Sequence, residues 1–260
     1  MEPVDVNCCL CLFPCGSYTW QNFILLWRST PQITENMIKA LPQTIPYFLF
    51  DELRHAIIKW HYKPGENLRE QEIADRFGSS RGAVREALRL LEVKGIVVYS
   101  SRRGFRVRKY AHKELLDMYR VRSLLEATVI DNLVGKDLSD LRDRLDTSTK
   151  NMADYIDAND LDSYFEENAN FHHLLLEQSD NLPLMQVLEQ LNEMSLPIRY
   201  ILLRKNFNEG RSLVYHRQIL ECIERKELTE AQQLTAEHIL ENFEKAWTAY
   251  DDAINAAGVN

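Results

Sequence analysis

The sequence has few cysteines over most of its length and no long hydrophobic run, and both absences narrow the class of protein. Four of the five cysteines fall within the first 15 residues, which leaves Cys222 alone in the remainder of the chain. This distribution argues against a disulfide framework and is typical of the reducing cytoplasm. Because no apolar run reaches the length of a membrane-spanning helix, we expect no transmembrane segment and no membrane partner.

Residues 1–36 carry the stretch CCLCLFPC, for which two interpretations stay open. One is a soft-metal or redox cluster, but no histidine pair or second cysteine pair follows at the spacing of a zinc finger. The other, which we favour, is an unstructured extension, or sequence translated upstream of a start at Met37. The acidic residues Glu2 and Asp5 argue against a secretory signal, because such signals begin with a basic region.

The net charge of −8 conceals an uneven distribution of charged residues. Residues 37–110 contain 15 Lys and Arg against 8 Asp and Glu, whereas residues 111–260 contain 15 against 28. A basic segment joined to an acidic body is typical of a DNA-binding domain followed by a regulatory domain. We therefore divide the chain into an extension (1–36), a DNA-binding domain (37–110) and an acidic body (111–260).

The basic domain contains two short helical patterns with a tight break between them, followed by two strands around a basic turn. Gly78 ends the first helix, as a glycine after the last periodic apolar residue often does, and one of the two serines after it caps the second. An apolar stripe over residues 45–61 places Phe48 and Trp60 on an earlier helix. This order is that of a winged helix-turn-helix. The predicted elements are helices Arg69–Phe77 and Arg81–Lys94 and strands Ile96–Tyr99 and Phe105–Arg108.

The start of the second helix carries the side chains that best suit DNA recognition. Arg81 and Arg85 are four residues apart and so project from one face of the helix. Arginine is the side chain that most often binds guanine through two hydrogen bonds, and Gly82 allows the backbone to approach the duplex. Arg102 and Arg103, at the tip of the turn between the strands, are placed to enter the minor groove or to hold phosphates.

The stretch PGENLREQEIADRFGSSRGAVREALRLLEVKGIV, with RRGFRV after it, resembles the GntR family of bacterial transcription regulators, FadR subfamily. The shared features are the PG turn, the LxExxIA helix, the SRxxVREAL core and the RxG wing. The resemblance implies a homodimer that binds a short pseudo-palindromic operator in double-stranded DNA. At Gly82 many relatives carry Thr or Pro, a difference that bears on operator preference. The DNA contacts it implies are those of Arg81, Gly82, Arg85, Arg103 and Gly104, with a lesser one from Gln71.

The acidic body shows almost no strand pattern, and its apolar residues recur at the three- and four-residue spacing of helices. Short breaks between the helices predict an antiparallel helix bundle. Thr229 and Gln232 fit a capping box at the start of the last helix. The chain is therefore predicted to be mainly α, a winged helix-turn-helix followed by an all-α bundle. The predicted body helices are Leu115–Val134, Leu138–Ile156, Leu161–Gln178, Leu184–Leu203, Leu213–Arg225 and Thr229–Ala253.

Three histidines on three different body helices form the candidate metal site. His172, His216 and His238 could converge in the bundle core, with Asn168 one turn before His172 on the same helix face. Spacing alone favours isolated histidines that are satisfied by hydrogen bonds. His173 points about 100° around the helix from His172 and is not expected to be a ligand.

The body also resembles the C-terminal domain of FadR, the FCD type of effector domain, through the segment NANFH that ends at His172 and through the two later histidines. The resemblance implies a divalent transition metal, for which we expect zinc, with nickel or manganese as alternatives. Aspartate is usual in the family where this chain has Asn168, whose neutral carbonyl oxygen is a weaker ligand for a hard ion. The implied metal ligands are Asn168, His172, His216 and His238.

The same resemblance implies that a small carboxylate, such as a sugar acid or organic acid, binds beside the metal, which anchors the anion and does not act as a catalyst. Arg122 matches a frequent family arginine that faces the pocket, and its spacing from Glu126 equally allows an i,i+4 ion pair. Arg199 is a second candidate for contact with the effector.

These observations favour a cytoplasmic, ligand-responsive transcription regulator, a repressor of a metabolic operon and not an enzyme. A second hypothesis keeps DNA binding but makes the metal purely structural, with no effector. A third is a metal-dependent hydrolase, which needs a general base beside its metal. The sequence has no HExxH run and places no carboxylate next to the three histidines, and a hydrolase would leave the basic domain unexplained.

Overall fold

The structure is a computed structural model that describes residues 44–207 and 210–258. The predictions for residues 1–36, including those for the cysteine stretch, concern a part of the chain outside the described residues. The described part is mainly helical, as predicted, and no helix within it is long and apolar enough to cross a membrane. Its elements are α1 (Ile45–Ile58), β1 (Asn67–Leu68), α2 (Glu70–Phe77), α3 (Arg81–Val93), β2 (Val97–Ser100), β3 (Gly104–Val107), α4 (His112–Asp131), α5 (Ser139–Asp157), α6 (Leu161–Ser179), α7 (Leu182–Asn206), α8 (Arg211–Glu224) and α9 (Leu228–Ala256).

The basic domain folds as a winged helix-turn-helix, and its local signals act where the sequence places them. Gly78 adopts the left-handed conformation (φ +58°) directly after α2. The Ser80 Oγ accepts a hydrogen bond from the Ala83 N–H at 3.2 Å and so caps α3. A buried apolar cluster that includes Leu53, Ile73 and Leu88 joins the helices to the sheet. The turn between α2 and α3 is therefore fixed by backbone conformation and packing together.

The sheet has three antiparallel strands in the order β1-β3-β2, one strand more than the sequence predicted. In β1, Leu68 pairs with Phe105 of β3, and both side chains are buried. Two residues are too few to show the alternation that identifies a strand. In β2 and β3, Ser100 pairs with Gly104 at the end of the ladder, so the basic turn between them forms the wing.

The end of α1 differs from the prediction. The apolar stripe placed Phe48 and Trp60 on one buried helix face, but α1 ends at Ile58 and Phe48 is 47% exposed. Trp60 lies beyond the helix at φ +63°, and its indole Nε1 donates a hydrogen bond to the Pro197 carbonyl oxygen at 2.8 Å. The indole is buried, so Trp60 packs between the DNA-binding domain and the body rather than within the domain.

Six helices, α4 to α9, form the body, and their ends fall within a few residues of the predicted ones. The capping box was wrong: α9 begins at Leu228, and Glu227 before it makes no side-chain capping bond. A large buried cluster that includes Leu145, Phe171 and Ile219 forms the main body core. The body therefore derives its stability from the apolar faces of amphipathic helices packed together.

The DNA-binding domain is joined to the body mainly through α7. The Arg54 guanidinium donates to both carboxylate oxygens of Glu193, at 2.8 and 2.6 Å. The Tyr110 hydroxyl donates to the Met194 carbonyl oxygen at 3.0 Å. With the Trp60 bond to Pro197, these contacts fall on a short stretch of α7.

Gly95, which follows α3, lies against Met194 of the body and gives a first prediction. It has φ +81°, and a Cβ built there would lie 2.7 Å from the Met194 Cγ. We expect Gly95→Ala to lower the free energy of unfolding by about 2–4 kcal/mol, because it combines the cost of a left-handed residue with overpacking. Gly135→Ala is the control: Gly135 has φ +79° and no heavy atom within 4 Å of such a Cβ. Urea unfolding measures both variants, and equal losses would contradict the proposed clash.

Candidate functional site

The predicted DNA contacts come together on one open face of the basic domain. Gln71 of α2, Arg81 and Arg85 of α3, and Arg103 and Gly104 of the wing line a single crevice. Gly82 lies in the first turn of α3, and a Cβ built there would meet only the Ser80 Oγ, at 3.8 Å. The backbone at this position is therefore open to a close approach from outside. The remaining arginines that line the crevice are Arg69, Arg102 and Arg106.

Glu70 lies within this basic face and was not predicted as part of it. The Arg85 Nε and Nη2 donate to the two oxygens of the Glu70 carboxylate at 2.9 and 2.8 Å, which raises the pKa of Arg85. The Arg81 Nη2 lies 3.8 Å from the nearer Glu70 oxygen. Fifteen residues separate Glu70 from Arg85, so helical periodicity could not reveal the pair.

Arg89 connects α3 to the wing and does not face the crevice with the other arginines. Its guanidinium lies over the ring of Tyr99, with 4.3 Å to the centroid, and 5.1 Å from the ring centre of Phe105. It also donates to the Glu92 carboxylate at 2.6 Å. Cation–π contacts of this kind hold the helix against the wing strands and so help to fix the angle between α3 and the wing.

The three predicted histidines meet in the core of the body. His172 of α6, His216 of α8 and His238 of α9 are all buried, and one ring nitrogen from each lies within 4.8 Å of the others. The Nε2 atoms of His172 and His216 are 3.2 Å apart. Ligand nitrogens in a tetrahedral zinc site lie about 3.3–3.4 Å apart, as follows from bonds of about 2.0–2.1 Å. His173 is exposed, as expected for a residue that is not a ligand.

The protonation of His216 and His238 suits metal binding. Burial, together with the neighbouring imidazoles, lowers the pKa of His216 and of His238 well below the ordinary value, so both rings are neutral at neutral pH. Neutral imidazoles offer the lone pairs that a divalent transition metal requires. The His216 ring also stacks on Phe171, with 4.0 Å between the ring centroids, which fixes its orientation. The donor set and its spacing fit a zinc-type ion.

Glu126 supports this cluster from α4, although the sequence placed no carboxylate beside the histidines. Its carboxylate lies 2.9 Å from the His172 Nδ1 and accepts a hydrogen bond from the Arg122 Nη2 at 2.6 Å. Burial by itself raises the pKa of Glu126, but His172 and Arg122 outweigh it and hold the pKa well below its usual range. A carboxylate in this position can accept a hydrogen bond from the His172 Nδ1–H, which would leave Nε2 as the nitrogen able to bind a metal.

Arg122 and Arg199 place two guanidinium groups beside the histidines. Arg122, Asn168, His172, Arg199 and His238 line one pocket. Arg122 pairs with Glu126 and also lines the pocket, and its contact with an effector stays a prediction. Burial lowers the pKa of Arg199 to about 10, so its guanidinium remains charged at neutral pH. The pocket residues that sequence reasoning did not identify are Tyr119, Leu202, Leu203, Ser212, Ile239 and Asn242.

Asn168 is in the pocket, but its oxygen is directed to an arginine. The Asn168 Oδ1 accepts a hydrogen bond from the Arg199 Nη2 at 2.8 Å. Its buried Nδ2 has no hydrogen-bond partner among the described residues. The amide oxygen keeps a second lone pair, and the role of Asn168 as a metal ligand stays a prediction.

The Glu126 arrangement gives a second prediction. We expect Glu126→Gln to weaken zinc binding by about 10–100-fold, because the partner that orients His172 loses its charge. Competition with a chromophoric chelator measures the affinity, and circular dichroism checks that the variant is folded. Glu244→Gln, which neutralises an exposed carboxylate on α9, serves as the control. An unchanged zinc affinity in Glu126→Gln would show that Glu126 does not support the metal.

Comparison with known proteins agrees with this architecture. Residues 48–107 match the family model for bacterial regulatory proteins of the gntR family, and residues 117–241 match the model for the FCD domain. The uncharacterized HTH-type transcriptional regulator YdhC of Bacillus subtilis (strain 168) is 30% identical over 209 residues, which are 78% of this chain and 90% of that protein. The gluconate operon transcriptional repressor of the same strain is 27% identical over 206 residues, 77% of this chain and 83% of the repressor.

The solved structure of Escherichia coli McbR/YncC matches with a TM-score of 0.68 at 20% identity, over 80% of this chain and 99% of that one, and this likeness supports the fold alone. The matched families and relatives are transcriptional regulators and not enzymes. The chain therefore belongs to the GntR family, as a DNA-binding transcription regulator with an FCD effector domain.

Proposed function

We propose that the protein is a repressor of a metabolic operon that binds a pseudo-palindromic operator as a homodimer and responds to a small carboxylate bound at a metal site. The observation that carries the proposal is the cluster of three buried histidines, of which His172 and His238 line a pocket beside the charged side chains of Arg122 and Arg199. Such a pocket, in a chain that also has a basic reading face, suits a regulator that senses an anion. Because it acts on the chromosome, we place it in the cytoplasm.

For operator recognition, we assign the base contacts to the start of α3. Arg81 and Arg85 project from its first two turns, and the open backbone at Gly82 lets this end of the helix enter the major groove. Arg103 and Gly104 of the wing contact a phosphate or the minor groove, and Gln71 contributes a lesser contact. Lysine and arginine contacts to phosphates make the affinity fall steeply with salt concentration.

The homodimer is inferred from the family and from exposed apolar side chains on two neighbouring helices. Leu124 and Val121 of α4 and Leu240 of α9 are exposed, and α4 packs against α9. Apolar residues grouped on a surface are typical of subunit interfaces. A two-fold symmetric dimer presents two recognition helices to two half-sites, which is why the operator should be a pseudo-palindrome.

The cluster of His172, His216 and His238 would hold zinc, with nickel or manganese as alternatives, and Asn168 would be a fourth ligand. The ion would supply positive charge that anchors a carboxylate. Arg122 and Arg199 bring two positive charges against the one negative charge of Glu126, so the pocket favours an anion even before a metal is counted. A sugar acid or organic acid is the effector class that we propose.

Helix α7 connects the pocket to the DNA-binding domain. Arg199 enters the pocket from α7, and the same helix holds the DNA-binding domain through Glu193, Met194 and Pro197. A ligand that draws the Arg199 guanidinium away from Asn168 favours a different position of α7. Since the DNA-binding domain is fixed to that helix, the ligand and the DNA would prefer different positions of the domain relative to the body. Such a difference is the requirement for allosteric coupling.

The competing interpretation keeps the metal but removes the effector. It predicts that chelation lowers the melting temperature while no small acid changes the affinity for DNA. Two buried guanidinium groups beside the histidines argue against it, because a purely structural site has no need of surplus positive charge.

Selection of genomic DNA fragments with the purified protein, with metal content assayed on the same sample, tests the proposal. We expect one short palindromic site near catabolic or transport genes and a divalent metal close to one per chain. Adding candidate sugar acids and organic acids to the recovered complex should change its affinity. Recovery of no specific sequence, with and without these acids, would contradict the proposal.

A further inference from the structure

Glu70 is an unusual residue in the face that we assign to DNA. It is the first residue of α2 and, among the described residues that line the crevice, the one with a negative charge. A carboxylate in this position repels the phosphate backbone. Its side chain is only 16% exposed, whereas those of Arg81 and Arg85 are 63% and 59% exposed. Glu70 is therefore the most buried of these three side chains, and Arg81 and Arg85 extend from it toward solvent.

The hydrogen bonds determine which part of the Arg85 guanidinium is available. A guanidinium carries five N–H donors in one plane, arranged along two edges that can each bind a pair of acceptors. Glu70 occupies the edge formed by Nε and Nη2 of Arg85, at 2.9 and 2.8 Å. The other edge, formed by the two terminal nitrogens, stays available for the paired O6 and N7 acceptors of a guanine.

We propose that Glu70 is a positioning residue that orients the Arg85 guanidinium toward one guanine and, through its negative charge, disfavours sequence-independent binding to phosphates. The proposal rests on the function inferred above, because it takes α3 to be the recognition helix. An arginine fixed in one plane accepts one base geometry, while an unrestrained arginine can turn to any nearby phosphate. Discrimination thus arises both from a better fit to the correct base and from repulsion of the wrong partners.

A purely structural role for Glu70 explains the arrangement less well. Exposed ion pairs contribute little to stability, and Arg85 is an exposed partner. The two helices are already joined by the buried side chains of Ile73, Val84 and Leu88. Removing the Glu70 charge should therefore change DNA recognition much more than it changes folding.

Selection from a randomised duplex pool tests the proposal with wild type, Glu70→Gln and the control Glu72→Gln. Glu72 lies on the same helix, is 66% exposed and pairs with Arg69 at 2.7 Å. We expect Glu70→Gln to lose roughly tenfold discrimination at one base pair of each half-site, as for the loss of one bidentate contact. Its affinity for an unrelated duplex should be equal to or higher than that of wild type. Glu72→Gln should select the wild-type sequence with the wild-type discrimination.

Arg85→Lys provides an independent check, because it keeps the charge but removes the fork that Glu70 holds. It should lose discrimination at the same base pair as Glu70→Gln. If Glu70→Gln fails to fold by circular dichroism, Glu70→Asp, whose carboxylate is set back by one methylene, should show that loss instead. A wild type that selects no sequence contradicts the DNA-reading function. If Glu70→Gln selects the wild-type sequence with equal discrimination at every position, Glu70 does not have the proposed role. The DNA-reading function of the protein would then remain intact.

Discussion

Replacement of both Arg81 and Arg85 by alanine is expected to weaken operator binding by about 100-fold or more, because each bidentate base contact contributes about 1–3 kcal/mol. The fold should be unaffected. Both side chains are largely exposed, and ion pairs of exposed arginines contribute little to stability. Fluorescence anisotropy with a labelled operator measures the affinity, and far-ultraviolet circular dichroism with a thermal melt measures the fold.

A matched control separates recognition from the loss of charge. The double variant Arg217→Ala and Arg225→Ala also removes two positive charges, but from exposed positions on the body. This double variant should bind the operator within a factor of about three of wild type, since distant charges are screened at physiological salt. If the Arg81 and Arg85 double variant kept sequence-specific binding, α3 would not be the recognition helix.

Removal of the metal is expected to lower the melting temperature by about 10 °C. A ligand present at about 1,000 times its Kd stabilises the folded state by about 4 kcal/mol, and a domain of this size shifts by about 2–4 °C for each kcal/mol. The three imidazoles converge only in the folded chain, so the binding energy of the ion contributes to folding. Differential scanning calorimetry before and after treatment with a chelator measures the shift, and added zinc should reverse it.

Two histidine variants test whether the cluster is responsible. His238→Gln should melt at a lower temperature than wild type and should not respond to the chelator. His173→Gln, which changes the exposed neighbour of His172, should respond as wild type does. A wild-type melting temperature that is unaffected by the chelator would show that the three buried histidines hold no ion under these conditions.

Local signals in the sequence predicted much of the DNA-binding domain. Gly78 and Ser80 act through their own backbone and side-chain geometry, so α2 and α3 begin and end close to the predicted positions. The strand β1 escaped prediction because its two residues acquire their conformation from pairing with β3. Trp60 fits the apolar stripe of α1, but its indole finds a hydrogen-bond acceptor on α7 and the helix ends before it.

The candidate sites, like the fold, contain residues that the sequence could predict and residues that it could not. The histidines could be singled out because the resemblance to the FCD domain and their placement on three helices pointed to one cluster. The side chains that orient the site residues could not be predicted from the sequence. Glu126 reaches His172 from another helix, and Arg199 reaches Asn168 from a third. Such pairings depend on how helices pack, which no periodicity in a single sequence records.

The close approach of Gly95 to Met194 has a consequence for protein engineering. The regulator is modular in sequence, yet its halves are fitted to each other: a glycine on one side, a methionine side chain on the other, and the Arg54 pair with Glu193 beside them. A chimera that grafts this DNA-binding domain onto a foreign sensor will transmit a signal only if the new partner reproduces those contacts. A functional graft should therefore include the DNA-binding domain together with the face of α7 that it contacts.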